Sequence, residues 1–199
     1  MGENRRCSPT MNLLVLGPQG AGKGTQAKRI AAEYGIPHIS TGDRFRAEIR
    51  GRTNFGTSVQ SILARGELVP DELTIGKLRE WLLADGAEGF VLDGYPRNLA
   101  QADALDELLG ELGKDLDAIF FFHLPDDVAT ERLLKRAAEE NRGDDTPEVI
   151  ARRLQIYHDE TEPIVEHYRA TGKLVPIHAE RSVEEVWSEV QDALEQVTA

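Results

Sequence analysis

The stretch Gly17-Pro18-Gln19-Gly20-Ala21-Gly22-Lys23-Gly24-Thr25 is where this chain most plainly offers chemistry. Glycines let the backbone wrap closely around a ligand, so that successive N–H groups point at an anion, and Lys23 adds a cation at the same place. Leu13 to Leu16 before it are apolar and branched, as in a strand buried on both faces, and Ala27 to Tyr34 after it carry apolar residues at helical spacing. The glycines therefore fall in a strand-to-helix turn, where the positive end of the helix also faces the anion. A glycine-rich turn with a chance lysine is the competing explanation, and the spacing and setting weigh against it. The fit to G-x-x-x-x-G-K-[ST] is incomplete: Gly24 fills the slot of the magnesium-contacting hydroxyl, and Thr25 comes one residue later.

Further polar signals follow later apolar runs. Ser40-Thr41-Gly42-Asp43 follows Ile36 to Ile39, and Asp93-Gly94-Tyr95-Pro96-Arg97 follows Phe90 to Leu92. Arginines gather at Arg132, Arg136, Arg142, Arg152 and Arg153. A helical arginine is ordinarily solvated or paired, here with Glu139 and Glu140, but a cluster around one polar insertion suits a flap that carries charge to a ligand while excluding water. His38, His123, His158, His167 and His178 are scattered without metal-ligand spacing and read as packing or surface residues.

The elements that must position these groups are legible as alternation. Buried-strand patterns recur at Leu13 to Leu16, Ile36 to Ile39, Phe90 to Leu92, Ala118 to Phe122 and Leu174 to Ile177, separated by helical segments. This predicts an α/β fold of three layers, a five-stranded parallel sheet with helices on both faces and ligands at the carboxyl ends of the strands. Gly42 to Gly86 is too long for one crossover helix and breaks at Gly51, Gly66 and Pro70, which predicts several short helices bulging from the core. Arg136 to Asp145 is a second, polar insertion, bounded by Gly143 and Pro147. Val183 to Val197 reads as an amphipathic helix with Val186, Trp187, Val190 and Leu194 on its core face.

Composition narrows the partners. The 199 residues carry a net charge of −12, which argues against a broad nucleic-acid-binding face but permits local cationic pockets. Apolar residues make up 40%, with no uninterrupted stretch long enough to span a bilayer, so no membrane partner is expected. Cys7 is the one cysteine, which excludes an intrachain disulfide and a cysteine-rich zinc site and suits a reducing cytoplasm. Residues 1–10 lack the apolar centre of a secretory signal and read as a disordered leader or tag remnant, leaving 11–199 as one domain.

The Gly-Lys-Gly-Thr form of the loop, Gly-Tyr-Pro-Arg, Ser-Thr-Gly-Asp and the arginine set together closely resemble adenylate kinase, a family of P-loop nucleoside monophosphate kinases, from Met11 to Val197. The resemblance implies a P-loop kinase fold with an NMP-binding insertion at about 40–69 and a short lid at about 136–145. It implies reversible, magnesium-dependent transfer of a phosphoryl group from ATP to AMP, giving ADP, by a cytoplasmic monomer. Lys23, Arg97, Arg136, Arg142 and Arg153 would act on the phosphates, with Arg46 and Arg97 gripping AMP. The backbone of Gly20, Ala21, Gly22, Lys23, Gly24 and Thr25 would hold ATP with Arg136 and Arg181, and Arg132 would pack on its adenine. Thr41, Glu67, Val69, Gly94 and Gln101 would complete the AMP side together with Arg142 and Arg153.

Asp93 would orient the waters of magnesium, its competing role being a helix cap before Asn98 to Leu112. Arg152 is left structural. Asp144 and Asp145 match an acidic pair that could hold the lid arginines. No zinc is expected, because the chain has neither the lid length nor the cysteines of zinc-binding relatives. His178-Ala179 departs from the family's Asp-Gly, which touches the fit of the ATP base.

The serious competitor is a uridylate/cytidylate kinase, favoured by Asn98, whereas Thr41 and Gln101 favour AMP. A GTP-dependent switch is a different class: Asn141-Arg142-Gly143-Asp144 faintly resembles its guanine-reading motif but follows a charged helical run instead of a buried strand. A nucleotide-binding pseudo-enzyme is disfavoured because the required cations are all present.

Overall fold

The computed structural model describes residues 10–140 and 146–198, so the leader with Cys7, and Arg142, Asp144 and Asp145 of the expected lid, lie outside the described residues. Its strands are β1 (Asn12–Leu16), β2 (His38–Ser40), β3 (Phe90–Asp93), β4 (Ala118–His123) and β5 (Leu174–His178), all parallel in the order β2-β3-β1-β4-β5. Every residue of β1 and β3 is buried, as the continuous apolar runs require of central parallel strands.

Side chains alternate across the sheet and feed two cores. On one face Leu13, Val15, Phe120 and Phe122 pack with Ala27 and Ile30 of α1 (Lys23–Tyr34) and with Val186, Val190 and Leu194 of α9 (Val183–Thr198). On the other, Leu14, Ile39, Phe90 and Leu92 meet α4 (Asp71–Asp85), α5 (Leu99–Glu111) and α8 (Pro163–Arg169). Fully burying each such aliphatic chain is worth about 1.5–3 kcal/mol. Among the described residues no helix is long and apolar enough to cross a membrane.

The first long interruption resolves into α2 (Thr41–Arg50), α3 (Asn54–Ala64) and α4. Leu78, Trp81 and Leu82 of α4 pack in the second core together with Phe45 of α2 and Val59 of α3. The α2–α3 pair is tightly packed: a Cβ on Gly56 would lie 2.3 Å from Glu48 backbone atoms, and Phe45 stacks obliquely on Phe55 at 5.3 Å. The second interruption also differs from expectation at its start. The segment from Arg136 continues α6 (Asp126–Glu140) to its end, since Ala and Glu are strong helix formers. Thr146 then caps α7 (Pro147–Ile156), which passes through a π-helical turn, Tyr157–Thr161, into α8.

His158 in that turn ties the elements flanking the second insertion together. One ring nitrogen lies 2.8 Å from Glu162 and the other 2.8 Å from Asp126 at the start of α6. The hydrogen bond to Glu162, then that to Asp126, raise the histidine above its ordinary value against the opposing effect of burial. A raised value means the clasp stabilises fully below the unfolded-state pKa and is lost as pH climbs through the folded one. The melting-temperature advantage of wild type over His158→Gln is therefore expected to be larger at about pH 6 than at about pH 9. A pH-independent difference in calorimetry would rule out a charged clasp.

Candidate active site

Parallel register brings the polar motifs to one edge. Val15 pairs with Asp93 and Ser40 also pairs with Asp93, so the segments beginning at Gly17, Thr41 and Gly94 leave the sheet side by side. The crevice lies where β1 is flanked by β3 and β4, the switch point at which such sheets bind ligands. There a cleft of about 590 Å³ opens, within the range of small-molecule sites.

The glycine loop forms one wall. It is pressed against its neighbours: a Cβ on Gly17 would lie 2.4 Å from the Phe122 carbonyl, and one on Gly20 2.9 Å from that of Ala129. Both have positive φ, at 137° and 86°, so a side chain is excluded by conformation as well as by space. Helix α1 starts behind Gly22 with no side-chain cap, whereas Ser40, Thr53, Asn98 and Thr146 cap α2, α3, α5 and α7. Its N-terminus is thus left to an external anion.

Lys23 curls back onto its own loop, its Nζ donating to the carbonyls of Gly17 and Pro18 at 2.7 Å each. Burial lowers its pKa to about 8; Asp93 opposes that shift, and the nearby Arg97 and Arg136 reinforce it. Arg97 is likewise pushed below its usual value, first by burial and then by Arg153, with Arg46 adding to this and Asp93 opposing it. These mutually repelling cations surround one cleft, as expected where a polyanion is to be received.

Asp93 is 9% exposed, with Oδ2 3.4 Å from His38 Nε2. The competing role as a helix cap is not taken, because Asn98 caps α5 by accepting from the Gln101 N–H. A Cβ on Gly24 would lie 3.3 Å from that same Asp93 oxygen, so the departure of the loop from the usual hydroxyl places a glycine directly before the carboxylate.

The opposite wall comes from α2, α3 and the segment after β3. Thr41 Oγ1 donates to the Gly94 carbonyl at 2.8 Å, and Arg97 Nε donates to the same oxygen at 2.8 Å. Arg46 pairs with Asp43 at 2.6 Å. Gln101 is 2% exposed and already engaged: its amide oxygen accepts from the Arg97 N–H at 2.9 Å, and its nitrogen donates to Asp71 at 2.6 Å. A primary amide retains one hydrogen and one lone pair for a ligand, held in a fixed orientation by this network.

Of the residues singled out in the sequence, Gly20, Gly22, Lys23, Gly24, Thr25, Thr41, Arg46, Glu67, Val69, Asp93, Gly94, Arg97, Gln101, Arg132, Arg136 and Arg153 line the cleft. Arg132 reaches it while donating to the carbonyl of Ala179 at 2.7 Å. Two stand apart: Ala21 is buried in the core and its N–H donates to the Pro18 carbonyl, and Arg181 is half exposed, 3.7 Å from Glu189. Three contributors had no motif to mark them. Tyr157 lines the cleft, Thr161 Oγ1 donates to the Arg97 carbonyl at 2.7 Å, and Asp71 anchors Gln101.

A strand, a glycine loop and an uncapped helix facing clustered cations define a P-loop phosphotransferase. The family model for adenylate kinase matches residues 15–173. An adenylate kinase of Xanthomonas euvesicatoria pv. vesicatoria is 46% identical over 92% of this chain and 99% of its own length, and one from Synechococcus sp. is 46% identical over 92% and 95%. One from Cyanothece sp. is 45% identical over 93% and 95%. This chain belongs to the adenylate kinase family.

The depressed Lys23 pKa yields a prediction. A bound polyphosphate favours the charged ammonium, so binding above about pH 8 draws a proton from solution. In the free protein the sign is the reverse of the usual lysine case. The unfolded chain holds more protons between about 8 and 10.5, so this group's contribution to stability rises with pH across that window. Titration calorimetry of triphosphate binding in buffers of differing ionisation enthalpy is expected to show net proton uptake at about pH 8.5, abolished in Lys23→Met. Buffer-independent heats in wild type would contradict it.

Proposed function

We propose that the glycine-loop wall binds ATP, that the α2–α3 wall binds AMP, and that the terminal phosphoryl group passes between them to give ADP. The observation that carries this reading is the convergence of Lys23, Arg97, Arg136 and Arg153 on one cleft at the strand ends, with Asp93 beside the loop. Phosphoryl transfer needs little covalent help; the work is to hold two polyanions in line and to neutralise the charge on the moving group.

In this scheme Lys23 leaves the Gly17 and Pro18 carbonyls for the ATP phosphates, joined by the N-terminus of α1. Arg97 and Arg46 present planar donor forks to the AMP phosphate. Arg136 and Arg153 stabilise the charge that develops between the two nucleotides, and Arg142 is assigned the same role from the family resemblance. Thr161 and Gln101 act at one remove by fixing the backbone of Arg97. No side chain is needed as a general base, since the attacking phosphate oxygen is already ionised.

The buried, strand-end carboxylate of Asp93, facing the loop across Gly24, suits the water shell of magnesium. Asp93 would hold that ion through water, and when bound it would supply positive charge to offset that of the ATP phosphates. Action as a monomer follows from the family resemblance alone, and the lone cysteine suits a cytoplasmic setting.

Lys23→Ala and Arg97→Ala are each expected to lower kcat by about 100 to 1,000-fold, the usual cost of one preorganised charge-stabilising donor. Near-normal turnover by folded Lys23→Ala would remove that lysine from the mechanism. AMP is expected to exceed UMP, CMP and GMP in kcat/KM. A mismatched base leaves polar groups of the Gln101 network unpaired at about 1–3 kcal/mol each, or roughly tenfold to a few hundredfold. A coupled spectrophotometric assay that finds CMP or UMP equal to AMP would favour the pyrimidine-kinase reading.

A further inference from the structure

Arg152 precedes cleft-lining Arg153 on α7 but does not itself reach the cleft. Its Nη2 lies 3.2 Å from Glu67 Oε1. Glu67 sits in the turn between α3 and α4, and its other oxygen accepts from Arg65 Nε at 3.0 Å and Nη2 at 2.8 Å. Arg65 belongs to the same turn, so it can shape the turn but cannot tie it to anything else. Arg152 can, because α7 directly follows the second insertion.

The turn is also seated on α7 by shape. Gly66 has φ +73°, and a Cβ there would lie 2.9 Å from Val149 Cγ1 and 3.3 Å from Arg153 Cγ. Any side chain at this position would hold the turn away from the helix. With glycine, the backbone closes down, and Glu67 comes within reach of Arg152. Gly66, Glu67, Leu68 and Val69 then form part of the cleft wall on the side assigned to the acceptor nucleotide.

We propose that Arg152 is a positioning residue: it latches the α3–α4 turn, through Glu67, onto the helix that delivers Arg153 to the phosphates. Closing the turn over the acceptor and setting Arg153 become one movement, since adjacent residues of α7 serve the two tasks. The latch is suited to repeated opening. Its side chains are 55% and 32% exposed, so the pair is solvent-screened and weak enough to break in each cycle.

This inference rests on the reading of the α2–α3 wall as the AMP side, and the test separates the two. KM and kcat for AMP and ATP are measured for wild type, Arg152→Gln, Arg152→Lys, Glu67→Gln and the double variant Arg152→Gln/Glu67→Gln, with melting temperatures as a folding control. Arg152→Gln is expected to raise KM for AMP about twofold to fivefold at low salt, the range of an exposed ion pair, with kcat unchanged or higher and KM for ATP unmoved. Arg152→Lys recovers most of the loss, added salt shrinks it, and Glu67→Gln abolishes it. An equal effect of Arg152→Gln with or without the Glu67 carboxylate overturns the latch. So does a fall in kcat with both KM values unchanged. An effect that depends on Glu67 but appears in KM for ATP keeps the latch and overturns the assignment of the acceptor side.

Discussion

Cations crowded together in a partly dry cleft are the constraint around which this structure is built. Lys23 and Arg97 are both desolvated, and each lies in the repulsive field of further basic side chains. Such an arrangement is costly in an isolated protein, and it is made tolerable by small local concessions. Lys23 rests on two loop carbonyls, Arg97 on that of Gly94, and the Asp93 carboxylate offsets part of the charge. A polyphosphate relieves all of this at once. The binding surface is therefore strained in the electrostatic sense and ready to be neutralised, which is the property that phosphoryl transfer requires of it.

The sheet exists, functionally, to hold that charge cluster in register. β1 and β3 are buried throughout, and their pairing sets Asp93 level with the root of the glycine loop. β4 closes the loop from the other side, where the carbonyl of Phe122 leaves room for no side chain at Gly17. Packing from both faces, by α1 and α9 on one and by α4, α5 and α8 on the other, keeps these strand ends from drifting. The strand ends supply the glycine-loop cradle and Asp93, while Arg46, Arg132, Arg136 and Arg153 arrive on helices.

Those helices are joined by polar contacts that differ in burial. The Asp71–Gln101–Arg97 network is centred on buried Gln101 and ties the base of α4 to the segment after β3. The His158 clasp holds the start of α6 to the turn before α8 and is partly exposed. The Glu67–Arg152 contact is comparably exposed and links the α3–α4 turn to α7. The first is the more buried, and the two exposed contacts are expected to open more readily than it does.

The sequence by itself determined the architecture and marked most of the charged residues that line the cleft. Continuous apolar runs specify buried parallel strands, and the glycine pattern between β1 and α1 specifies an anion cradle, because both are local consequences of residue type and spacing. It also separated α4 from α3 at Gly66 and Pro70. What it did not carry was which way each helix turns its side chains. The resemblance assigns Arg153 to the phosphates, but only the rotation of α7, set by packing of Ile150 and Leu154 into the core, explains why Arg153 and not Arg152 lines the cleft. Thr161, Tyr157 and Asp71 are distant in sequence from the motifs they support and carry no signature. Tertiary structure alone brings them there, since long-range contact is decided by where buried surfaces meet and not by the residue types at either end.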